Sequence, residues 1–330
     1  MINIVQAGLG PIGRQLISYL LQREGLKIFA AVDPDESIKG KDVGLLAGHK
    51  PIGIFVSKSP GNRSFDPQQS VALVSTVSKI SRITSQVQEY ASRGLNILTT
   101  CEELTHPWTT HSEEAVEIDE ICKKYGVTCL ATGVNPGFLM DYLPAVFSSV
   151  CRVVDHIKIS RVQNASGRRG SFQKKIGAGL SVDEFRKRQG KLGHVGLPES
   201  THFIAEALNL ELTDYVEKID PVIADRTVIT DHITVKPGMV SGLNQSAIGF
   251  IDGKEAIRQE FIAAVGQDDP ADRIDITGDP EFHSVIPGGI NGDVATASII
   301  INSIPVILKM EPGLKTMLDV SVPSWFKKID

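Results

Sequence analysis

The sequence predicts an α/β protein in which a doubly wound parallel sheet is joined to a second domain of α+β type. In the first 140 residues, apolar strand segments alternate with helical segments, which is typical of a parallel sheet covered on both faces. After residue 141 the predicted strands follow one another, mostly without helices between them, which indicates an antiparallel or mixed sheet. A chain of 330 residues is also too long for one typical core.

The first 33 residues have the order of a Rossmann-type, dinucleotide-binding unit. A strand at residues 1–7 leads into the turn GLGPIG at 8–13, and a helix at 12–22 and a strand at 26–32 follow. Asp33 lies 20 residues after the last glycine of the turn, where a carboxylate accepts from a ribose 2′-hydroxyl. The complete order with the acid in register indicates a dinucleotide far more strongly than the glycines alone.

Each residue of the turn has a physical task. Gly8 allows the tight exit from the strand, Gly10 lets the backbone approach a pyrophosphate, and Gly13 lets the helix pack closely on the strand. Pro11 and Ile12 open the helix, whose free N–H groups and positive dipole end attract phosphate.

The alternation continues to about residue 131. Helix and strand periods predict a third strand at 71–76, a fourth at 95–100 and a fifth at 127–131, with helices at 85–93 and 113–125, the last with Ser112 as N-cap. Residues 48–70 are rich in Gly, Pro, Ser and Asn and are expected to form a loop, in which 52–56 is a candidate edge strand. The second half predicts strands at 155–162, 227–235, 246–251, 255–265 and 273–277, with a two-residue hairpin at Asp252-Gly253. Residues 292–308 are expected to form a helix that Pro305 kinks or ends and that packs on the first domain.

Composition excludes several classes of protein. Net charge −5 and a pI near 5.9 argue against a nucleic-acid or anionic-membrane surface. The most apolar stretch, at 295–308, is interrupted by Asn302 and Pro305 and is too short for a membrane span. The turn begins at residue 8, which leaves no room for a targeting peptide, and the four cysteines form no CxxC or disulfide pattern. These features predict a cytoplasmic protein without a metal site.

The loops that follow the strands are the expected site, because ligands of open α/β sheets bind beyond the carboxyl ends of the strands. We expect the fourth strand, at 95–100, to lie beside the first, so that Cys101-Glu102-Glu103 comes close to a nicotinamide. A carboxylate there can accept a proton from a substrate ammonium, stabilise an iminium and activate water. Glu102 is the first candidate for this catalytic role and Glu103 the second. The alternative is that either acid caps a turn or faces solvent. The further cofactor contacts that we expect are Thr76, Val77, Thr100, Cys101 and Asn135.

Five motifs recur in a family order: the glycine turn, TTCEEL (99–104) with Pro107-Trp108, GVNPGFLMD (133–141), GHVGLPES (193–200) and PGGINGDVAT (287–296). Together they resemble the 2,4-diaminopentanoate dehydrogenase family and its related amine dehydrogenases over nearly the whole chain. The resemblance implies NAD(P)-dependent oxidative deamination of an amine to a ketone with release of ammonia, or the reverse reductive amination. It also implies a homodimer and a catalytic glutamate, a role that we carry to Glu102. We therefore expect residues 1–140, completed by 292–330, to bind the dinucleotide, and residues 141–291 to bind substrate and dimerise.

Two other functions compete with this one. The chain is distantly similar to dihydrodipicolinate reductase, but residues 161–169 read RVQNASGRR and lack the histidine pair and lysine of that family. Reduction of a cyclic imine is therefore disfavoured. The second alternative is a dinucleotide-binding regulatory protein without turnover, against which the acid pair at 102–103 counts.

Candidate substrate contacts come from both halves of the chain. Arg161 and Arg168 could clamp a substrate carboxylate, or Arg168 could belong to a solvated loop. Asn135 could orient the nicotinamide amide or the substrate, or form a turn with Pro136.

Three further residues complete the set. Asn164 and His194 would face the substrate if the family resemblance holds, although a lone histidine is more often structural. Thr296 could place a hydroxyl at the site or cap the last helix. For the cofactor, Asp33 repels a 2′-phosphate and favours NAD, while Lys39 and Lys41 leave NADP possible.

Overall fold

The computed structural model describes residues 1–61 and 63–329, and it contains two compact units. The first unit is Met1–Phe138 with Asn291–Asp330, and the second unit is Leu139–Ile290. Residues 62 and 330 lie outside the described part, including the predicted end of the first domain. The roles expected of the two domains stay predictions.

Residues 1–138 alternate strands with helices. In chain order these are β1 (Ile2–Ala7), α1 (Pro11–Leu20), β2 (Leu26–Val32), α2 (Val43–Leu46), β3 (Val56–Ser57), β4 (Ser70–Val74), α3 (Ile80–Ala91), β5 (Asn96–Thr99), α4 (Pro107–Thr110), α5 (Ser112–Tyr125) and β6 (Thr128–Ala131).

The remaining elements belong to the second unit and to the end of the chain. They are α6 (Tyr142–Ser148), β7 (Val153–Asn164), α7 (Gly170–Lys175), α8 (Val182–Arg188), α9 (Leu197–Ala207), β8 (Asp214–Ile223), β9 (Val228–Ile229), β10 (Thr234–Val235), β11 (Val240–Ile251), β12 (Lys254–Ala264), β13 (Ala271–Asp279), β14 (Phe282–Pro287), α10 (Gly292–Asn302), α11 (Ile304–Ile307) and β15 (Gly313–Lys315).

The sheet of the first unit has seven parallel strands in the order β15-β6-β5-β4-β1-β2-β3, which confirms the predicted fold class. Chain order reverses at β1, which pairs with β2 on one side and β4 on the other. The prediction that the strand at 95–100 lies beside β1 is wrong, because β4 occupies that place and β5 is one strand farther out. The cause is β3, a two-residue edge strand in a stretch rich in Gly and Pro, which is the third strand of the count.

Two helix starts also differ from the sequence prediction. Helix α3 begins at Ile80 instead of residue 85, because the Glu103 carboxylate accepts a hydrogen bond from the Ile80 N–H at 2.9 Å. Helix α5 begins at Ser112 itself, and its N-cap is His111, so Ser112 is not the cap. For α3 the first turn is thus bound by a residue from outside the helix.

The sheet of the second unit is mixed, with the order β14-β13-β7-β12-β11-β8, and β7 and β12 are parallel. The Asp252-Gly253 hairpin joins β11 to β12 with positive φ at both residues (50° and 77°), as a type I′ turn requires. The single strand predicted at 227–235 is instead the short pair β9 and β10, because Thr230 Oγ1 accepts from the backbone N–H groups of His232 and Ile233 and bends the chain.

The end of the chain completes the first unit. Helix α10 packs against α1, and Pro305 lies in the first turn of the separate helix α11, as expected. Strand β15 then extends the sheet beside β6. Across residues 1–61 and 63–329, none of the helices has both the length and the apolar character needed to cross a bilayer.

Candidate functional site

The glycine turn lies between β1 and α1, and its geometry depends on the missing side chains. Gly8 has φ +86°, and a Cβ there would lie 2.6 Å from the Ser75 carbonyl oxygen. A Cβ on Gly13 would lie 1.9 Å from the Gly8 carbonyl oxygen. In the described part of the chain, no atom beyond its immediate neighbours comes within 4 Å of a Cβ built on Gly10. The turn is therefore closed on the protein side and open at Gly10, where a pyrophosphate would approach.

Asp33 follows β2 and is hydrogen-bonded to the same turn. Its Oδ2 accepts from Leu9 N at 2.7 Å, and its Oδ1 accepts from Asp35 N at 2.9 Å. Each carboxylate oxygen has a second lone pair, so these bonds leave acceptor capacity for a ribose hydroxyl. The carboxylate thus orders the turn as well as marking the expected ribose position.

The loop after β4 lies directly across from the turn, because β4 is the neighbour of β1. Thr76 Oγ1 donates to Gln86 Oε1 at 2.7 Å, and Val77 packs on the hydrophobic core of the first unit. Both were predicted to contact the cofactor, and both lie in the loop at the reversal of strand order.

The segment after β5 is tied to β4. Thr99 Oγ1 and Thr100 N both donate to the Val74 carbonyl oxygen, at 2.9 and 3.1 Å. Cys101 is fully buried, and burial, followed by the charge of Glu102, raises the pKa of its thiol far above the usual value. Cys101 is therefore a neutral packing residue and not a nucleophile.

Glu102 and Glu103 lie in a short 3₁₀ turn, and the structure distinguishes them. Glu103 Oε2 accepts from Ile80 N at 2.9 Å and lies 3.7 Å from His111 Nε2, with 17% of its side chain exposed. Its backbone N–H also donates to the Ser78 carbonyl oxygen. Glu103 therefore caps α3 and joins the loops that follow β4 and β5. Glu102, which is half-buried, lies beside it in the same turn.

The loop after β6 is folded tightly on itself and on α10. Gly137 has φ +118°, and a Cβ there would lie 2.5 Å from Gly133 N. Val134 N donates to Thr296 Oγ1 at 3.2 Å, so Thr296 holds this loop rather than capping its own helix. The side-chain Oδ1 and Nδ2 of Asn135 are buried and have no hydrogen-bond partner among the residues that the structure describes. A buried amide of this kind suits a ligand with a complementary amide.

In the second unit, Arg161 is 1% exposed. Its Nη2 donates to the Ile290 carbonyl oxygen at 2.7 Å, and its Nε lies 3.7 Å from Asp272 Oδ1. Burial lowers the pKa of Arg161 to about 10, against the opposing effect of Asp272, so the guanidinium stays charged at neutral pH. Its Nη1 is buried without a hydrogen-bond partner within residues 1–61 and 63–329. Two of the three guanidinium nitrogens of Arg161 thus contact other residues of the second unit.

The other substrate candidates of the second unit have local contacts. Asn164 is exposed, and its Oδ1 accepts from Ser166 N at 2.9 Å. Arg168 Nη1 donates to Gln163 Oε1 at 3.3 Å, and its guanidinium lies 4.2 Å from the ring centre of Phe172.

The side chain of Gln245 holds the main chain of His194. Its backbone N–H donates to Gln245 Oε1 at 2.7 Å, and Gln245 Nε2 donates back to the His194 carbonyl oxygen at 2.9 Å. The imidazole stacks on Phe261 at 5.0 Å between ring centres. These contacts fix the position of the ring, and its role toward substrate stays a prediction.

The sequence analysis missed two polar residues at the reversal of strand order, Gln6 and Ser75. Gln6 is fully buried in β1, and its Nε2 donates to Ser75 Oγ at 3.1 Å. A signal was present, because Gln6 is a long polar residue next to the end of a strand that was predicted to be buried.

Comparisons with known proteins agree on one family. Residues 138–328 match the family model described as the 2,4-diaminopentanoate dehydrogenase C-terminal domain. The chain is 28% identical over 342 aligned residues to 2,4-diaminopentanoate dehydrogenase of Acetoanaerobium sticklandii, covering 98% of this chain and 94% of the relative.

Solved structures show the same fold. An amine dehydrogenase from Mycobacterium smegmatis superposes with a TM-score of 0.85 at 20% identity, over 99% of this chain and 98% of that one. The DAP dehydrogenase of C. glutamicum in complex with DAP superposes with a TM-score of 0.51 at 12% identity, over 97% and 94% of the two chains.

The capping role of Glu103 predicts how two substitutions differ. Glu103→Gln keeps an oxygen that can accept from Ile80 N, so we expect little change in stability. Glu103→Ala removes the acceptor and should cost about 0.5–2 kcal/mol of unfolding free energy, the range of a lost helix cap. Urea denaturation of both variants measures this. Equal losses in the two variants would contradict the capping role.

Proposed function

Because the chain belongs to the 2,4-diaminopentanoate dehydrogenase family, we propose that it deaminates an amino acid-like or simple amine to a ketone with Glu102 as catalytic carboxylate, or runs the reverse reaction. The chain is an oxidoreductase that acts on CH–NH₂ groups with a nicotinamide dinucleotide. The observation that carries our assignment is that the fold already uses the carboxylate of Glu103. Glu103 caps α3, and Glu102 lies next to it in the same turn, behind β5.

The residues of the first unit fit this cofactor. Gly8–Gly13 and the start of α1 would hold the pyrophosphate, Asp33 the ribose, and Asn135 the carboxamide, whose donor and acceptor match the buried amide of Asn135. We also propose Thr76, Val77, Thr100 and Cys101 as part of its surroundings. The bound nicotinamide would accept the hydride from the substrate carbon.

The chemistry of the chain itself would lie with Glu102. Its carboxylate would accept a proton from the substrate ammonium and pass it to solvent. In its ionised form it would then stabilise the positive iminium, deprotonate the attacking water and return that proton to the departing amine. In the direction of reductive amination, the carboxylate would position ammonia beside the carbonyl carbon of the ketone. Arg161 Nη1, Asn164, Arg168, His194 and Thr296 remain our proposed substrate contacts. Arg161 and Arg168 would pair with a substrate carboxylate if there is one.

We further propose a homodimer in the cytoplasm. Val216 and Val285, on the two edge strands of the mixed sheet, are 46% and 52% exposed, and a second copy packed on this face would bury them. The four cysteines are unpaired, which suits a reducing compartment.

The proposed reaction predicts a strict requirement for ammonium. Purified protein should oxidise NADH only when a ketone and ammonium are both present, because the carbonyl must first form an imine. Absorbance at the NADH band measures this for ketones with and without a carboxylate. Equal rates without ammonium, or turnover of a cyclic imine alone, would favour the imine reductase. Binding of NADH without turnover of any substrate would favour a regulatory protein.

Glu102→Gln should lower kcat by about 10²–10⁴-fold, the usual contribution of a general acid–base group, while NADH binding stays intact. The amide keeps the shape of the side chain and removes the proton acceptor. Glu103→Gln is the matched control and should keep most of the activity. A mild loss at Glu102 with a large loss at Glu103 would move the catalytic role to the neighbour.

The charges around the ribose position predict a preference for NADH over NADPH. Asp33, Asp35 and Glu36 follow β2, and Glu36 pairs with Lys39 at 3.6 Å and with Lys58, which leaves less positive charge for a 2′-phosphate. A difference of about 1.4 kcal/mol in transition-state binding corresponds to a tenfold ratio of kcat/KM. If the repulsion of the 2′-phosphate is of about this size, NADH is preferred by about tenfold or more. Steady-state rates with each cofactor give the ratio, and a ratio of one or below would refute it.

A further inference from the structure

In the glycine turn, the peptide group between Gly8 and Leu9 is hydrogen-bonded at both its carbonyl oxygen and its N–H. On the carbonyl side, Gln6 Nε2 donates to the Gly8 oxygen at 2.9 Å and to the Ala7 oxygen at 3.2 Å. Carbonyl oxygens only accept hydrogen bonds, so the NH₂ end of the Gln6 amide must face them. The orientation of this buried side chain is therefore determined.

Ser75 contacts both the Gln6 amide and the Gly8 carbonyl oxygen. Its Oγ accepts from Gln6 Nε2 at 3.1 Å and lies 3.2 Å from the Gly8 oxygen, to which it can donate. Ser75 N also donates to the Ala7 oxygen at 2.9 Å, in line with the pairing of β4 and β1. The Gly8 carbonyl is therefore bound to two side chains, one in β1 and one directly after β4.

The N–H side is held just as directly. Leu9 N donates to Asp33 Oδ2 at 2.7 Å, a charge-assisted bond. The next carbonyl, that of Leu9, accepts from Arg14 Nε at 2.8 Å. Rotation of the Gly8–Leu9 peptide would break bonds on both sides at once.

We propose that Gln6 is a positioning residue for the dinucleotide, which with Ser75 and Asp33 holds the glycine turn in its binding conformation before the cofactor arrives. The inference rests on the proposed cofactor site at Gly8–Gly13. Glycine gives this turn more conformational freedom than any other residue type, and each ordered peptide costs binding free energy if it is ordered only on binding. Gln6 removes that cost in advance, and it acts through the turn without touching the reacting atoms.

The test compares two buried amides of one sheet. Gln6→Met keeps the length of the side chain and removes its donor. Asn96→Leu is the matched control. Asn96 is 5% exposed at the beginning of β5, at the opposite end of the parallel sheet, where it accepts from Thr128 N at 2.8 Å. Both variants lose buried hydrogen bonds, so both should lower Tm.

Only Gln6→Met should weaken cofactor binding. We expect its Kd for NADH, from fluorescence titration of the protein without substrate, to rise about fivefold, as one lost hydrogen bond of roughly 1 kcal/mol implies. Its kcat at saturating NADH should stay near that of wild type. Deuterium uptake of residues 8–14 in the cofactor-free protein should rise in Gln6→Met and not in Asn96→Leu.

The outcomes separate the inference from the proposed function. If wild-type protein binds neither NADH nor NADPH, the proposed function fails. If wild type binds and Gln6→Met binds equally well despite its lower Tm, the positioning role of Gln6 is refuted. Should Gln6→Met not fold, Ser75→Ala carries the test, since it removes the hydroxyl that contacts the Gly8 carbonyl and predicts the same rise in Kd.

Discussion

The pairing of β1 with β2 on one side and β4 on the other determines where the cofactor-binding candidates of the first unit lie. At the carboxyl ends of these strands the ladder stops, and buried peptide groups there need other partners. Gln6, Ser75 and Asp33 supply them, one from each strand or its end. The side chains that satisfy the buried peptide groups at this edge of the sheet therefore also fix the conformation of the turn that would bind a phosphate.

The glycine turn and Asp33 could be predicted at this edge, because they stand at fixed spacings within one segment, residues 8–33. The glycine spacing and the acid after β2 depend on φ, on helix ends and on strand length. The start of α3 is different, since its cap comes from Glu103, beyond the helix and the next strand. The strand count failed for a similar reason, because two residues of β3 are too short to show any period.

The second unit shows a further limit of sequence reasoning. Arg161 was predicted to bind a substrate carboxylate because a guanidinium can form two parallel hydrogen bonds with a carboxylate. Its partners, Asp272 and the carbonyl of Ile290, lie on or after other strands, and no local pattern announces them. The hydrogen bonds of Gln245 to the main chain of His194 are hidden in the same way. Long-range polar pairs inside a mixed sheet depend on register, which periodicity does not specify.

The late position of β15 in the chain has a consequence for synthesis on the ribosome. Strand β6 gains its outer neighbour only when Gly313–Lys315 has been translated, and α10 joins α1 from a similarly late segment. A nascent chain that has emerged to residue 138 therefore carries an open sheet edge, a surface prone to wrong pairing. The second unit, whose segments are contiguous, has all of its strands available earlier, so the half of the protein made first is the last to be finished.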